Sequence, residues 1–215
     1  MSIRTDIPVQ HFEQMLRSYV VRWTTFPDGN ITCYDDYTDE DRGHIGIVRN
    51  MIYRHKKLNI KYNTYDMQEG EDVIYPKGNP GIMVLSSGGD HPYLYGRVLD
   101  LFHIEAINYR KGSIFGTEPC RLEMVWVQWY ELDQKHEHSG FNSLRYPSLS
   151  LYEDVDGDAY GLVHPDEIIR RVHLIPNFNV LTPGMEDYER VQVNMFVAFQ
   201  RSFYFVSLID CPKLS

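Results

Sequence analysis

The sequence predicts a mainly β fold of the α+β class, a small curled sheet or partly open barrel with a helical appendage at its N-terminal end. Three observations favour this fold. Apolar residues recur every three to four positions over residues 8–23, which is typical of one face of a helix. From residue 58 the period changes to two, as in strands with one buried face. Three later segments, starting near residues 80, 91 and 120, are rich in β-branched and aromatic residues and are bounded by Gly, Pro or Ser.

The first element is predicted to be an amphipathic helix over residues 8–23. Its apolar face is formed at three- and four-residue spacing by Val9, Phe12, Leu16, Tyr19 or Val20, and Trp23. The polar segment that follows, residues 26–43, is rich in turn residues and is the best candidate for a linker. Within it, Thr38 is placed to cap a short helix through Asp41.

The strands begin with Leu58, Ile60 and Tyr62, which alternate with polar residues as a half-buried strand does. The later segment CRLEMVWVQWYEL carries apolar residues on both of its faces, so we expect a central strand with Trp126 buried in the core. Gly96 lies inside another apolar segment. It indicates a bulge or a close approach of another backbone, as expected where a sheet curls.

The stretch GLVHPDEIIRRVHLIPNF, residues 161–178, combines a turn, a capped helix and a strand. Pro165 suits the first helical position. Charged residues complement the two ends of the helix dipole, with Asp166 and Glu167 at one end and Arg170 and Arg171 at the other. The apolar residues up to Pro176 then predict a strand of about five residues that this proline closes. His164 is expected either to cap the helix or to face solvent.

Composition and charge limit the classes of function. The chain has 215 residues, of which 43% are hydrophobic and 13% aromatic, enough for a buried core. Its 21 Lys and Arg against 30 Asp and Glu give a formal net charge of −9, which disfavours a dedicated DNA binder and suits a basic partner. No window approaches the apolar run of about 18 residues that a membrane helix needs, and the first residues lack a secretory signal. We therefore expect a nuclear or cytoplasmic protein without membrane contact.

The three cysteines do not indicate a disulfide framework or a zinc site. Cys33, Cys120 and Cys211 are odd in number, far apart and without C-x-x-C spacing. Free thiols are therefore the expected state, which agrees with an intracellular compartment.

The sequence offers only weak patterns for metal binding or catalysis. Carboxylates alternate at Asp154, Asp156 and Asp158, but the calcium-loop pattern fails at its glycine and final glutamate, so an Asp-Gly hairpin turn is favoured. His136 and His138 stand two apart without a third ligand nearby, which indicates a solvated loop. Since nucleophile and phosphate-binding motifs are also missing, we expect no metal, no cofactor and no small-molecule substrate. A metal-dependent enzyme that uses the three aspartates is a remaining alternative.

One stretch, YRHKKLNIKY, concentrates positive charge. Its basic residues are Arg54, Lys56, Lys57 and Lys61, with His55 between them. Such a run is more often a solvated strand edge that prevents aggregation than a nucleic-acid contact. An accessory nucleic-acid contact through this stretch is the second functional hypothesis.

A series of motifs resembles a known family. The segments YNTYDMQEGEDVIYPKGNPGIMVLSSGGDHPYLYGRVLDLFHIEA, RLEMVWVQWYEL, GLVHPDEIIRRVHLIPNF and VNMFVAFQRSF are similar, in this order, to the C-terminal region of Plavaka-type transposon proteins of mushroom-forming fungi. The likeness covers residues 38–205 in outline and departs at His164, where the family pattern usually has an acidic residue. It implies origin more than activity, because the transposase-like part of those proteins lies upstream of this region. No recombinase activity is therefore expected from this chain alone.

A second resemblance concerns architecture. HPYLYGRVLDLF, MVWVQWYE, an acidic loop and HPDEIIRRVHLI follow one another as in a bromo-adjacent homology (BAH) domain, a β-rich chromatin-interaction fold. The resemblance implies a cage for methylated lysine built from Tyr93 or Tyr95 with Trp129, and with Glu131 beside them, since aromatic faces attract cations. Glu131 stands where the family pattern would favour a further aromatic residue. The other interpretation is that these rings are ordinary barrel core.

These observations predict three segments and one main function. Residues 1–57 form the helix and connector with the first strand, 58–178 a BAH-like β domain, and 179–215 a tail that packs on this domain. The expected function is recognition by a non-enzymatic module, related to a transposon protein, that binds a basic peptide such as a histone tail. An exposed aromatic pocket rimmed by carboxylates would favour this function, whereas a contiguous basic face would favour nucleic acid and converging carboxylates a metal enzyme.

Overall fold

A computed structural model describes residues 9–25, 37–63, 68–78, 80–86, 91–110, 113–132, 148–152, 159–176, 190–193 and 205–210. The described helices are α1 (Val9–Thr25) and α2 (Asp39–Gly43). The described strands are β1 (Ile45–Ile47), β2 (Tyr53–Asn63), β3 (Glu69–Ile74), β4 (Gly81–Leu85), β5 (Tyr93–Asn108), β6 (Cys120–Leu132), β7 (Ser148–Leu151), β8 (Tyr160–Val163), β9 (Ile168–Val172), β10 (Leu174–Pro176), β11 (Arg190–Val193) and β12 (Phe205–Asp210). The fold is thus mainly β and antiparallel, which confirms the predicted class at that level. Within these ranges no helix has the length and apolar character to cross a membrane.

The chain divides into two compact units. Unit 1 consists of Met1–Tyr53 and Phe102–Met124, and unit 2 of Arg54–Leu101 and Val125–Ser215. The predicted boundaries at residues 57 and 178 rest on the sequence alone and stay a prediction.

Unit 1 is built around α1, whose span confirms the predicted N-terminal helix. The buried apolar side chains of α1 are Met15, Leu16, Tyr19, Val20 and Val21. At 100° per residue, Met15, Leu16, Tyr19 and Val20 lie on one face of the helix, whereas Val21 lies outside that face. The Tyr19 hydroxyl donates to the Glu123 carbonyl of β6 at 2.6 Å, and Arg17 Nη1 donates to the Ile45 carbonyl of β1 at 2.7 Å. These bonds fix the rotation of the helix against its neighbouring strands.

The short helix α2 begins at the predicted cap. Thr38 Oγ1 accepts from the Asp41 N–H at 3.2 Å, and the Asp41 carboxylate accepts from the Thr38 N–H at 3.1 Å. This reciprocal pair is a capping box. The hydrogen bonds from the Thr38 side chain, and then from its backbone, hold the pKa of Asp41 below its usual value. The predicted cap is confirmed, whereas residues 26–36 of the predicted linker lie outside the described residues.

Strand β6 is central in the sheet. It pairs with β5, β7 and β8, and the strand order runs β10-β11-β7-β6-β5-β2-β12. In the described part of the chain the two ends of this order do not pair, so the sheet is not closed. Val125 and Val127 belong to a buried cluster on one face of β6 and Tyr130 to a cluster on the other. Trp126 is 6% exposed, which confirms the predicted central strand with a buried tryptophan.

Strand β2 contains a bulge that changes which of its residues are buried. Opposite β12 the register shifts by one residue at Lys56. Because a bulge reverses the side-chain alternation along a strand, His55 is buried before it, and Leu58 and Ile60 are buried after it. The alternation predicted from Leu58 is thus confirmed for Leu58 and Ile60, while Tyr62 is half-buried.

The segment after β8 differs from its prediction. Pro165–Glu167 form a single 3-10 turn, not a longer helix. His164 caps this turn, because its Nδ1 accepts from the Asp166 N–H at 3.2 Å. Arg170 and Arg171 were predicted to complement a helix C-terminus, and this prediction is wrong, since both lie in β9.

Strand pairing explains this difference. Strand β9 pairs with β4, and the Asp72 carboxylate of β3 accepts from Arg170 Nε at 2.9 Å and from the Arg171 N–H at 3.2 Å. Charges near a helix end contribute only about 0.3–1 kcal/mol each. The backbone hydrogen bonds between β9 and β4, together with the Asp72 carboxylate that both arginines share, outweigh these small contributions to a helix. The predicted strand of about five residues is only partly present, because β10 spans Leu174–Pro176 and Val172 belongs to the end of β9.

Candidate peptide-binding site

The residues of the predicted aromatic cage lie on two faces of the sheet in unit 2. Along β5, Tyr93 and Tyr95 occupy one face and Gly96 the other, because side chains alternate. A Cβ atom at Gly96 would lie 3.1 Å from Cε3 of Trp129, so the indole is on the Gly96 face. The structure therefore brings Tyr93 and Tyr95 together and separates them from Trp129. By alternation along β6, Glu131 shares the Trp129 face.

Trp129 is seated over two glycines. A Cβ atom at Gly161 of β8 would lie 2.5 Å from the indole Nε1, whereas one at Gly96 would lie 3.1 Å from Cε3. The ring also packs against a buried cluster that includes Val98 and Val127. The interpretation of this ring as part of the core therefore fits the structure. Gly96 does mark a close approach, but the approaching group is the Trp129 ring and not another backbone.

Glu131 is exposed at the end of β6. Its carboxylate accepts a hydrogen bond from the Ser150 hydroxyl of β7 at 3.3 Å. This contact orients the carboxylate on the face opposite the two tyrosines. Glu131 thus has a strand-to-strand contact of its own and no place beside Tyr93.

A different group of side chains surrounds Tyr93, on the hairpin formed by β4 and β5. Leu85 pairs across the strands with Tyr93, and Met83 pairs with Tyr95. Directly opposite residues of an antiparallel pair share a face. The His91 ring lies 6.0 Å from the Tyr93 ring and 5.7 Å from the Tyr95 ring, centroid to centroid. We name this group, Met83, Leu85, His91, Tyr93 and Tyr95, the hairpin patch.

The hairpin patch has a buried base and an exposed top. Tyr95 is 1% exposed and Met83 9%, whereas Leu85 is 67% exposed. Tyr93 and His91 are half-buried. Burial, and then the nearby Tyr93, raises the pKa of Tyr95 to about 12. Tyr95 therefore remains a neutral phenol at physiological pH, and it belongs to the buried cluster against which Tyr93 packs.

His91 fixes the start of β5. The Tyr93 N–H donates to His91 Nδ1 at 3.2 Å, and the same nitrogen lies 2.9 Å from the Tyr93 carbonyl oxygen. One ring nitrogen thus faces both backbone polar groups of Tyr93. This nitrogen accepts from the N–H when it carries no proton and donates to the carbonyl when it carries one, so it has a partner in either tautomer.

The basic stretch of β2 is partly neutralised. The Arg54 guanidinium forms an ion pair with Asp100 of β5. Lys61 stands opposite Glu71 of β3. Lys56 is exposed and Lys57 half-buried. The predicted nucleic-acid residues are thus interleaved with carboxylates, which lowers the positive potential that a phosphate backbone would meet.

The described residues contain no group of three or more His, Cys, Asp or Glu side chains placed to hold a metal ion. Asp154, Asp156, Asp158, His136 and His138 lie outside the described residues.

Cys120 is a buried free thiol whose Sγ donates to the Ala106 carbonyl at 3.4 Å. Burial raises its pKa, so the reactive thiolate is disfavoured. A nucleophilic role for this cysteine is therefore not supported by its surroundings.

Comparison with protein-family models, with curated proteins and with solved structures finds no match for this chain.

Three members of the hairpin patch, Met83, Leu85 and His91, were not identified from the sequence. A signal for them exists, since SSGGDHP is a turn-rich stretch between two apolar segments and thus indicates a hairpin. Pairing the residues at equal distances from that turn would have placed Leu85 beside Tyr93. The length of the turn, which sets this register, cannot be read from composition.

Proposed function

We propose that this chain is a non-enzymatic interaction module that binds a basic peptide, such as a histone tail, on the hairpin patch. The observation that carries this proposal is a half-buried Tyr93 ring with His91 6.0 Å away, centroid to centroid, and the 67% exposed Leu85 directly opposite it in the strand pair. The inner side of the ring packs against the buried cluster that includes Met83 and Tyr95. An exposed leucine beside an aromatic ring offers apolar contact for the stem of a long cationic side chain. The ring face offers attraction to its charged end.

The charge of the chain supports a cationic partner. A formal net charge of −9 attracts a basic peptide over long range and speeds the encounter, while local contacts determine how long the complex lasts. Strand pairing of β4 with β5 holds the patch rigid before binding, which reduces the entropy lost on association. Moderate dependence on salt is expected, because only part of the affinity is electrostatic.

The resemblance to BAH domains supports the same role, with one change in the site. A joint cage that includes Trp129 is no longer proposed, because the sheet lies between that ring and Tyr93. The relation to Plavaka-type transposon proteins stays a proposal on origin. It is compatible with a recognition module that accompanied a catalytic region in a longer protein.

An accessory nucleic-acid contact is the second candidate. Lys56, Lys57 and Lys61 favour it, since the described residues contain no ion pair to any of them. The logarithm of the affinity for DNA falls with the logarithm of the salt concentration, with a slope of about 0.9 for each phosphate contacted. Three contacts would therefore supply only a small part of the affinity that proteins with six to ten phosphate contacts reach.

The test is a peptide array of Lys- and Arg-rich sequences probed with three forms of the chain, with a duplex DNA shift assay in parallel. Tyr93→Ala should reduce peptide binding at least fivefold. Leu94→Ala is the matched control, because Leu94 is adjacent, 43% exposed and on the opposite face. Equal loss in both variants, or tighter binding of DNA than of any basic peptide at physiological salt, would contradict the proposal.

A further inference from the structure

We propose that Leu132 of β6 extends the hairpin patch and selects basic peptides in which an apolar residue stands two positions from a cation. This inference rests on the proposed function and names the class of peptide that the same site takes. Leu132 is thereby a specificity-determining residue of that site, and not part of a second one.

The first support is the place of Leu132 beside Tyr93. Arg97 Nη2 of β5 donates to Gln128 Oε1 of β6 at 2.7 Å, so these two residues are neighbours on one face of the sheet. Strands β5 and β6 are adjacent in an antiparallel sheet. Four residues further on in the same direction, β5 reaches Tyr93 and β6 reaches Leu132. Leu132 therefore lies next to Tyr93 on the face of the hairpin patch.

The second support is shared packing. Tyr93 and Leu132 are half-buried, and both pack against the same buried cluster, which includes Met83, Tyr95 and Leu149. Leu149 stands directly opposite Leu132 in the pair of β6 with β7. The apolar surface of the hairpin patch thus continues from β4 across β5 to β6, and part of it remains open to solvent on each of these strands.

The third support is the distribution of charge around this surface. On β9, beyond β4, Arg170 stands opposite Met83, and the Asp72 carboxylate accepts from its Nε at 2.9 Å. Arg97 is four residues from Tyr93, which is about 13 Å along β5. The β6 side of the Tyr93 ring is therefore the neutral side. An apolar side chain of the peptide is accommodated there without removing water from an ion pair.

Strand spacing sets the distance between the two contacts. The cation of the peptide takes the surface between Leu85 of β4 and Tyr93 of β5, and the apolar residue takes Leu132 of β6. Because neighbouring strands are about 4.8 Å apart, these two contacts are about 7 Å apart. In an extended peptide, residues two positions apart point to the same side and are separated by about 6.7 Å, whereas adjacent residues point to opposite sides. The expected partner is therefore an extended peptide that crosses the strands with a cation and an apolar residue two positions apart.

The experiment measures the affinity of the full chain for three rhodamine-labelled, acetylated peptides at physiological salt. All three carry the same Lys and Arg residues, four positions apart, in a background of Gly and Ala. The first has leucine midway between the cations, the second has leucine next to each cation, and the third has no leucine. The wild type should bind the first about fivefold more tightly than the third, because about half of a leucine side chain is buried. The second should bind like the third.

Leu132→Ala tests the residue, with Leu151→Ala as the matched control. Leu151 is also a half-buried leucine packed against the same cluster, but it belongs to β7 and pairs with Tyr130. In Leu132→Ala the preference for the first peptide should fall below about twofold, whereas Leu151→Ala should keep the wild-type preference. The preference is a ratio of two affinities measured on one variant. A partly unfolded variant lowers both affinities equally and leaves this ratio unchanged.

Methyl NMR of the wild type supplies a readout that needs no variant. All three peptides should shift the methyl resonances of Leu85, and only the first should also shift those of Leu132. Shifts at Leu132 that are equal for the first and third peptides would contradict the contact.

The outcomes separate this inference from the proposed function. If the wild type binds none of the three peptides, the proposed function is wrong and the preference falls with it. If the wild type binds all three equally, or if Leu132→Ala keeps the wild-type preference, only the role of Leu132 is refuted and the basic-peptide site on the hairpin patch stands.

Discussion

The close seating of Trp129 over Gly161 predicts that a single added methyl group destabilises unit 2. In Gly161→Ala the new Cβ would lie 2.5 Å from the indole Nε1, 3.0 Å from Cε2 and 3.1 Å from Cζ2. Ordinary carbon contacts begin near about 3.5 Å, so the ring has to move by about 1 Å. The ring cannot easily move away from Gly161, because its other edge lies against Gly96 and the buried cluster.

The magnitude follows from two opposing terms. Overpacking of a buried site costs roughly 1–3 kcal/mol. Replacing glycine by alanine also restricts the unfolded chain, which contributes about 0.4–1 kcal/mol of stability. The net expectation is a loss of about 0–2.6 kcal/mol in the free energy of unfolding. Gly78→Ala is the control, because a Cβ there meets nothing within 4 Å, and it should be neutral or slightly stabilising.

Urea unfolding followed by circular dichroism measures both variants. Trp129→Leu supplies the second arm, since the smaller side chain leaves room for the Cβ at position 161. In that background Gly161→Ala should cost at least about 1 kcal/mol less than in the wild type, and this coupling isolates the contact. If Gly161→Ala changes the free energy of unfolding by the same amount in the Trp129→Leu background as in the wild type, the indole does not contact position 161 and the assignment of Trp129 to that face fails.

Three further predictions concern other parts of the chain. Trp126→Ala should cost about 3–5 kcal/mol, the range for deleting a core aromatic, and an unchanged thermal midpoint would contradict the burial of Trp126. Thr38→Ala should raise the pKa of Asp41 toward its usual value of 3.8, as measured by NMR. Because the folded-state pKa of Asp41 is lowered, its contribution to stability is present above pH 3.8 and is lost as the pH falls through the folded-state pKa; Thr38→Ala should reduce this dependence but not abolish it, since the backbone N–H of residue 38 still donates to Asp41. In a variant with Cys33→Ser and Cys211→Ser, Cys120 should react with Ellman's reagent far more slowly in the folded than in the unfolded chain, and equal rates would show that the thiol is not buried.

Local patterns were sufficient for several elements of the fold. The spacing of Leu16 and its neighbours predicted α1, because one apolar face is enough to identify an amphipathic helix. The Thr38 and Asp41 pair predicted the cap of α2, since a capping box depends on residues three apart. The apolar character of both faces predicted the central position of the strand that contains Trp126. In each case the information lies within a few consecutive residues.

Features that depend on pairing between distant segments were not predictable. Alternation tells which residues of β5 share a face, but only the register against β6 decides whether Trp129 joins Tyr93 or Gly96. A slip of one residue in the register moves every side chain of the strand to the other face of the sheet. The predicted cage therefore depended on the strand register, which cannot be read from the sequence. The same limit explains β9, where pairing with β4 and the Asp72 carboxylate outweighed the helix signals of Arg170 and Arg171. The bulge at Lys56 likewise depends on pairing with β12, a strand from a distant part of the sequence.

The most direct test of the central claim is methyl NMR of the chain, labelled at leucine and methionine methyl groups and titrated with the Lys- and Arg-rich peptide at physiological salt. The hairpin patch and the opposite face are distinguished by two neighbouring leucines, since Leu85 shares the Tyr93 face and Leu94 does not. The proposal predicts saturable shifts of the Leu85 and Met83 methyl groups and little change at Leu94. Shifts at Leu94 without shifts at Leu85, or no saturable shifts at any methyl group, would contradict a basic-peptide site on the hairpin patch.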